Sequence, residues 1–130
     1  MMRVVLDTNV LVSALWTANG NPKKILDMIG KNEIKPCYDY RLIAEYEHVL
    51  NRPKFKFPIR DISGVIARIK AIGMAVTATE STISFADETD RAFYDVAVSC
   101  GAYLVTGNKK HYPNELFILS PVEFLELLKK

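Results

Sequence analysis

The alternation of helix and strand that decides the fold is clearest in residues 89–106, TDRAFYDVAVSCGAYLVT. Its first part carries apolar side chains at helical spacing, and they form one buried stripe: Phe93, Val96, Ala97 and Cys100. Gly101 follows, a residue type that commonly ends helices. The short apolar run Ala102–Thr106 comes next and is typical of a buried strand. The stretch therefore predicts a helix, Thr89–Cys100, that leads directly into a strand.

The same alternation continues in both directions along the chain. We predict further strands at Arg3–Leu6, Ile34–Tyr38, Met74–Thr77 and Leu116–Leu119, and further helices at Pro22–Ile29, Arg41–Leu50, Ile62–Ile72 and Pro121–Leu128. Gly73 is predicted to end the third of these helices, and Ser120 with Glu123 to form a capping box on the last. This order favours an α/β fold, a mainly parallel sheet covered on both faces within one domain, residues 1–130.

Composition narrows the class of protein. The chain has 130 residues, of which 49% are hydrophobic and 25% charged, as in ordinary globular domains. No apolar run approaches the roughly 20 residues that span a bilayer, and no export signal is recognisable, so we expect a cytoplasmic protein. For the same reason we expect Cys37 and Cys100 to be reduced thiols in the core. The net charge of +2 does not by itself indicate nucleic-acid binding.

Three polar residues are predicted to lie at the carboxyl edge of the sheet, where ligands bind in such folds. Asp7 directly follows the first strand, Asp90 begins a helix, and Asn108 follows a later strand. Each also has a purely structural alternative. Asp7, with Thr8 and Asn9, can cap a turn or helix, Asp90 can complement a helix dipole, and Asn108 can serve as a turn residue.

Three further acids are placed by helical periodicity. Glu45 and Glu47 flank the apolar stripe of the helix Arg41–Leu50 on opposite sides, so geometry alone does not choose between them. Asp95 falls nearly opposite the buried stripe of its helix, which predicts a solvated side chain.

Carboxylates that converge on one crevice repel each other, and a bound divalent cation removes that repulsion. Oxygen ligands suit Mg²⁺ or Mn²⁺, whereas zinc favours histidine and cysteine, of which no two here have ligand-like spacing. Such an ion can activate water and stabilise charge on phosphate oxygens. The pattern therefore favours phosphodiester hydrolysis. A nucleotide-binding α/β protein is disfavoured, because no glycine-rich phosphate loop follows Leu6.

Three blocks of sequence resemble the PIN-domain family, in particular the toxin components of bacterial and archaeal toxin–antitoxin systems (VapC-like ribonucleases). The first block is residues 4–14, VVLDTNVLVSA, and the second is residues 42–55, ending NRPKF. The third is residues 87–113 and includes TGNKKHYP. The similarity spans almost the whole chain.

The resemblance implies a Rossmann-like three-layer α/β/α fold and assigns residues one by one. Asp7, Glu45 and Asp90 match the three family acids as catalytic and metal ligands, which selects Glu45 over Glu47. Asn108 falls where many relatives carry a fourth acid, so one neutral oxygen replaces a carboxylate there and a second ion should bind more weakly. Further residues are candidates for supporting roles at the site: Thr8, Asn9, Asp95 and Thr106.

Basic residues form two clusters that can contact RNA phosphates. Lys109 and Lys110 follow Asn108, and a second stretch contains Arg52, Lys54, Lys56 and Arg60, interleaved with Phe55 and Phe57. Aromatic and basic residues together suit single-stranded RNA. The alternative is a solvated loop whose two phenylalanines anchor it to the core. Packing roles are expected for Trp16 and Tyr112, and His111 is expected to be peripheral.

Taken together, the pattern and the resemblance predict a metal-dependent endoribonuclease that acts as a toxin. The resemblance further implies a homodimer and a small antitoxin protein that blocks the site. The alternative is a PIN-fold RNA-binding or RNA-processing factor with weak or no cleavage, because Asn108 replaces an acid.

Overall fold

The computed structural model describes residues 1–129 and has a five-stranded parallel sheet at its centre, in the order β3-β2-β1-β4-β5. The strands are β1 (Arg3–Leu6), β2 (Lys35–Tyr38), β3 (Met74–Ala75), β4 (Tyr103–Val105) and β5 (Ile118–Leu119). The flanking helices are α1 (Thr8–Trp16), α2 (Asn21–Gly30), α3 (Tyr40–Leu50), α4 (Ile59–Ile72), α5 (Thr89–Cys100) and α6 (Pro121–Leu128). The predicted three-layer α/β/α fold is confirmed. Within residues 1–129, no helix combines the length and apolar composition that crossing a bilayer requires.

Three of the four residues of the central strand β1 have side chains that suit a buried strand. Val4, Val5 and Leu6 are all buried, and the first two are β-branched residues that favour extended backbone. The strand pairs with β2 on one side and with β4 on the other, where Leu6 lies opposite Val105. Residues that follow β1 and β4 therefore emerge side by side at the carboxyl edge of the sheet.

Two helix ends follow from local sequence alone. Gly101 ends α5 in the left-handed region, with φ 65°, which glycine adopts without steric cost. Ser120 caps α6, because its hydroxyl accepts a hydrogen bond from the Glu123 amide and the Glu123 carboxylate accepts one from the Ser120 amide. Both predictions are confirmed, since these contacts need only neighbouring residues.

Two features of the helices differ from the predictions, and a third agrees with its prediction for a different physical reason. Helix α1 was not predicted, because the β-branched residues of this segment have modest helix propensity. Its formation follows from the Asp7 cap and from burial of Val10, Leu11 and Ala14. Helix α4 begins at Ile59 rather than at Ile62. Gly73 does end α4, but with φ −80°; glycine is needed because a Cβ would lie 2.6 Å from the carbonyl oxygen of Pro36.

The two cysteines are joined by a disulfide between β2 and the end of α5, so the expectation of reduced thiols is wrong. The expectation that both lie in the core is confirmed, because Cys37 and Cys100 are buried. Helix α5 packs against β2, which places the two sulfur atoms together although 63 residues separate them in sequence. Sequence spacing carries no information about such a contact.

Candidate active site at the carboxyl edge of the sheet

Asp7 leaves β1 at the carboxyl edge of the sheet and caps helix α1. Its Oδ1 accepts a hydrogen bond of 2.8 Å from the Thr8 amide, and its backbone is extended, as for most N-cap residues. Asp7 therefore does cap a helix, as its structural alternative predicted. The cap uses one of the roughly four positions at which a carboxylate accepts hydrogen bonds, so the other positions are open to further partners.

The second oxygen of Asp7 is held by side chains from distant parts of the chain. Oδ2 accepts hydrogen bonds from the Thr106 hydroxyl at 2.8 Å and the Tyr112 hydroxyl at 3.0 Å. The Asn9 amide nitrogen is 3.3 Å from the same atom. Asp7 is 7% exposed, and this burial raises the pKa of its carboxyl group, whereas the hydroxyl hydrogen bonds partly offset the rise. Asp7 is thus a rigidly positioned carboxylate for which the charged form is costly.

Asp90 lies in the first turn of α5 and shares this electrostatic environment. Burial raises its pKa to about 6, and the negative charges of Asp7, Asp87 and Glu45 contribute to the rise. His111 acts in the opposite direction, with Nδ1 3.7 Å from the Asp90 carboxylate. Acids that are far apart in sequence therefore meet at one edge of the sheet.

Glu45 and Glu47 lie on different sides of α3. Glu45 is half-buried, its charge acts on Asp90, and it lines a groove with Thr89 and Phe93 of α5. Glu47 is exposed and lines a separate groove between α3 and α4. Helical periodicity did not choose between the two glutamates. In the structure Glu45 is the one beside the acidic edge, which is the carboxyl edge of the sheet with Asp7 and Asp90.

Asn108 follows β4 and precedes a short 3-10 helix, Lys109–His111. Its backbone amide donates a hydrogen bond of 3.0 Å to the Thr106 hydroxyl, the same hydroxyl that donates to Asp7. Its side-chain nitrogen is 3.1 Å from Nε2 of His111. Asn108 is thereby connected to Asp7 through one hydroxyl, and it brings no charge of its own.

The chain is similar to a known protein family and to a known protein. The sequence profile described as PIN domain matches residues 3–110 of the chain. The chain belongs to the PIN domain family. It is also similar to a protein of Methanocaldococcus jannaschii described as uncharacterized protein MJ1680, with 30% identity over 111 residues, 83% of this chain and 72% of that protein. PIN domains are in general nucleases, and such nucleases typically use divalent metal ions.

Asp95 is 1% exposed in this PIN domain, so the prediction of a solvated side chain is wrong. The segment between β3 and α5 has no regular secondary structure up to residue 85, and it covers the outer face of α5. The Ser81 amide donates a hydrogen bond of 3.2 Å to the Asp95 carboxylate. A helical wheel assumes that one face of a helix meets solvent, and this helix is covered on both faces.

The basic residues predicted to bind RNA have different surroundings. Lys109 forms an ion pair of 2.9 Å with Glu123 of α6, so its charge is partly engaged. Lys110, Arg52 and Lys54 have exposed side chains. Because none of these three makes an ion pair among residues 1–129, each is free to contact a phosphate.

Sequence reasoning missed Tyr112 and Asp87. The Tyr112 hydroxyl donates to Asp7, and its pKa is raised by burial and by the charge of that carboxylate. Asp87 precedes α5, and its charge acts on Asp90. Both residues lie in the third block of sequence, but nothing in that block signals the contact of Tyr112 with Asp7, which is 105 residues away.

The donor atoms and charges at the acidic edge bear on whether it can hold a metal ion. In the part of the chain that the structure describes, no three His, Cys, Asp or Glu side chains lie close enough to hold an ion as they stand. Asp39, also at this edge, is neutralised by Arg41 at 2.7 Å, whereas no lysine or arginine among residues 1–129 pairs with Asp7 or Asp90. The hydroxyl oxygen of Thr8 is buried without a hydrogen-bond partner. The donors thus fit a hard cation in kind and charge, and a closed ligand set would require the side chains to draw closer.

Proposed function

We propose that this PIN domain is a Mg²⁺- or Mn²⁺-dependent endoribonuclease that hydrolyses RNA phosphodiester bonds. The observation that carries the proposal is that Asp7, Glu45 and Asp90 lie near one another at one edge of the sheet, where no lysine or arginine among residues 1–129 pairs with Asp7 or Asp90; burial and the neighbouring charges accordingly raise the pKa of Asp90 to about 6. Uncompensated carboxylates at a sheet edge cost stability, and a divalent cation offsets that cost. Family membership supports a nuclease in general.

In this proposal Asp7, Asp90 and Glu45 would hold the ion, with the Asn108 side-chain oxygen as a weaker donor. The bound cation would supply Lewis acidity and charge stabilisation at the phosphate. The chain's own residues would arrange the reaction around it. Thr106 and Tyr112 fix the plane of the Asp7 carboxylate through their hydrogen bonds to Oδ2.

The exposed cations would bind and orient the substrate. Lys110 stands next to the edge of the sheet, and its ammonium group is free to contact a phosphate. Glu45, half-buried on α3, would orient the attacking water when it does not ligate the ion. Phosphate contacts set the register of the RNA strand, and the acids set the place of cleavage.

Cleavage of a single-stranded RNA, followed with metal and with excess chelator, tests this proposal. We expect cleavage to stop in chelator and Asp7→Asn to abolish most of it, because the change removes a charge without changing shape. Glu45→Gln should reduce cleavage strongly, whereas Glu47→Gln on the other side of α3 should not. Undiminished activity in chelator would rule out the metal mechanism, and equal loss in both glutamine variants would rule out the role of Glu45.

A second candidate function is that of an RNA-binding or RNA-processing factor with weak cleavage. The observation that favours it is Asn108, which offers a neutral amide engaged with His111 instead of a carboxylate. RNA binding without cleavage at any metal concentration would favour this candidate.

We also propose that the enzyme acts as the toxin of a toxin–antitoxin pair. The similarity of the three sequence blocks to such toxins supports this role, with a homodimer and a small antitoxin protein as partners. Growth arrest on expression, relieved by a small protein encoded beside it, would support the role. Light scattering at micromolar concentration would test the dimer, and a monomeric mass would count against it.

A further inference from the structure

An aromatic cluster lies on the surface, where α1 ends and the loop between α3 and α4 passes it. Trp16 makes edge-to-face contacts with Phe55 and Phe57, with ring centres 5.4 and 5.9 Å apart. The two phenylalanine rings stack on each other at 5.4 Å. Trp16 is nevertheless 60% exposed, whereas both phenylalanines are half-buried. The phenylalanines thus anchor the cluster, and more than half of the Trp16 surface is left accessible to solvent.

The loop that carries this cluster is strongly basic. Residues 51–60, NRPKFKFPIR, which comprise this loop and the first two residues of α4, contain four cations and no carboxylate. The Lys54 ammonium lies 5.2 Å from the centre of the Phe55 ring. Among the residues that the structure describes, Arg52, Lys54 and Lys56 make no ion pair. These charges are therefore available to an anionic partner.

A groove of about 460 Å³ continues the surface on the other side of Trp16. It runs between α1, α2 and α4, and its lining includes Arg60 and Arg68 as well as Asp27 and Asp61. Asp27 is paired with Lys23, and Arg60 is paired with Asp61 at 3.9 Å, which leaves Arg68 as the cation of this groove without an ion pair among residues 1–129. The volume falls within the range of pockets that enclose small ligands.

We propose that Trp16 and the basic loop 51–60 form a contact site for single-stranded RNA, in which a base stacks on the indole and the cations bind the flanking phosphates. Exposed aromatic faces among unpaired cations are the features by which proteins bind single strands regardless of sequence. The absence of carboxylates from the loop favours an anionic polymer over an apolar protein segment. This inference rests on the proposed function, because it assumes that the RNA bound at the acidic edge extends as far as Trp16.

Helix α1 connects the two places. It begins beside Asp7 and ends at Trp16, so at about 1.5 Å per residue the helix places them roughly 13 Å apart along its axis. A short stretch of RNA held on Trp16 would therefore be long enough to extend to the acidic edge. This distance gives Trp16 a part in binding and none in the chemical step.

Trp16 is the one tryptophan of the chain, so its fluorescence reports on its own surroundings. The full chain would be titrated in chelator with a single-stranded oligoribonucleotide, and in parallel with inorganic polyphosphate as an anion that has no bases. We expect the oligonucleotide to quench the fluorescence and polyphosphate to leave it nearly unchanged, since only a base stacks. Absence of quenching at oligonucleotide concentrations that bind would overturn the proposal and favour a protein partner for this face.

Binding of a labelled oligonucleotide to variants of the protein, measured by fluorescence anisotropy, separates the contribution of base stacking from that of charge. Trp16→Ala should weaken binding about tenfold or more, and Trp16→Phe should recover much of it. Lys54→Gln should lower the salt dependence of log K by about 0.7, the value for one phosphate contact with a single strand. The controls are Leu116→Ala, an exposed apolar residue outside the cluster, and Lys24→Gln, an exposed cation on α2. Losses in the controls equal to those in the cluster variants would overturn the proposal.

Cleavage assays keep this inference distinct from the proposed function. A wild-type protein that cleaves RNA while Trp16→Ala binds and cleaves equally well would refute the contact site and leave the nuclease standing. A wild-type protein that does not cleave, but whose fluorescence the oligonucleotide quenches, would refute the nuclease and support the contact site.

Discussion

Replacing Asp90 by asparagine should stabilise the metal-free protein at neutral and alkaline pH. In the folded protein burial and the neighbouring acids raise the pKa of Asp90 from the ordinary value of 3.8 to about 6. The folded state therefore holds the Asp90 proton in a pH range in which the unfolded chain has released it. This residue's contribution to stability is fully present below about pH 4 and is lost as the pH rises through about 6.

The size of the effect follows from the shift in pKa. A difference of about two units corresponds to about 3 kcal/mol at 1.36 kcal/mol per unit. The side chain is only 14% exposed, so solvent screening reduces this figure little. Asparagine cannot ionise, and the variant should therefore exceed the wild type by up to about 3 kcal/mol near pH 8 and by almost nothing near pH 4.

Urea denaturation in chelator, repeated from about pH 4 to pH 8, measures this difference. The matched control is Asp61→Asn, because Asp61 is also in the first turn of a helix but is an exposed acid of α4. It corrects for loss of the favourable helix-dipole interaction. Millimolar Mn²⁺ should make the wild type more stable than Asp90→Asn, since the ion binds the folded wild type and stabilises it by mass action. A difference between wild type and Asp90→Asn that does not change with pH would refute the reasoning.

Three further predictions concern single groups. Tyr112→Phe removes a hydrogen bond to the buried Asp7 carboxylate and should cost about 1.5 to 3 kcal/mol in a denaturant titration, with a further rise in the pKa of Asp7. Asn108→Asp adds a charge at the acidic edge and should tighten Mn²⁺ binding in titration calorimetry; unchanged affinity would show that residue 108 does not line the metal site. Gly73→Ala should lower the free energy of unfolding by about 1 to 3 kcal/mol because its Cβ overlaps a backbone carbonyl, whereas Gly64→Ala, which meets no atom within 4 Å, should raise it slightly.

Much of the fold was predictable because the signals are local. The stripe of α5, its terminal glycine and the capping box of α6 each depend on residues within about one or two helical turns. Alternation of helix and strand then implies a parallel sheet, and a parallel sheet brings the residues after β1 and β4 to the same edge. The placement of Asp7 and Asn108 therefore needed no structure.

The sequence left three matters of the site open or wrong, and each depends on packing between distant segments. Glu45 and Glu47 lie on different sides of α3, and only the orientation of the helix in the fold decides that Glu45 faces the acidic edge. Asp95 is buried because an irregular segment lies over α5, which no periodicity in the helix signals. The disulfide likewise depends on how α5 meets β2.

By itself the sequence determined most of the helices and strands and the position of Asp7 and Asp90 at the carboxyl edge, because propensity, capping and alternation act over a few residues. The tertiary structure decided the electrostatics of that edge. Burial raises the pKa of Asp7, and the hydroxyl of Tyr112 reaches its carboxylate from 105 residues away. Desolvation and long-range hydrogen bonds exist only when the chain is packed, so the charge state of the site is a property of the fold rather than of any motif.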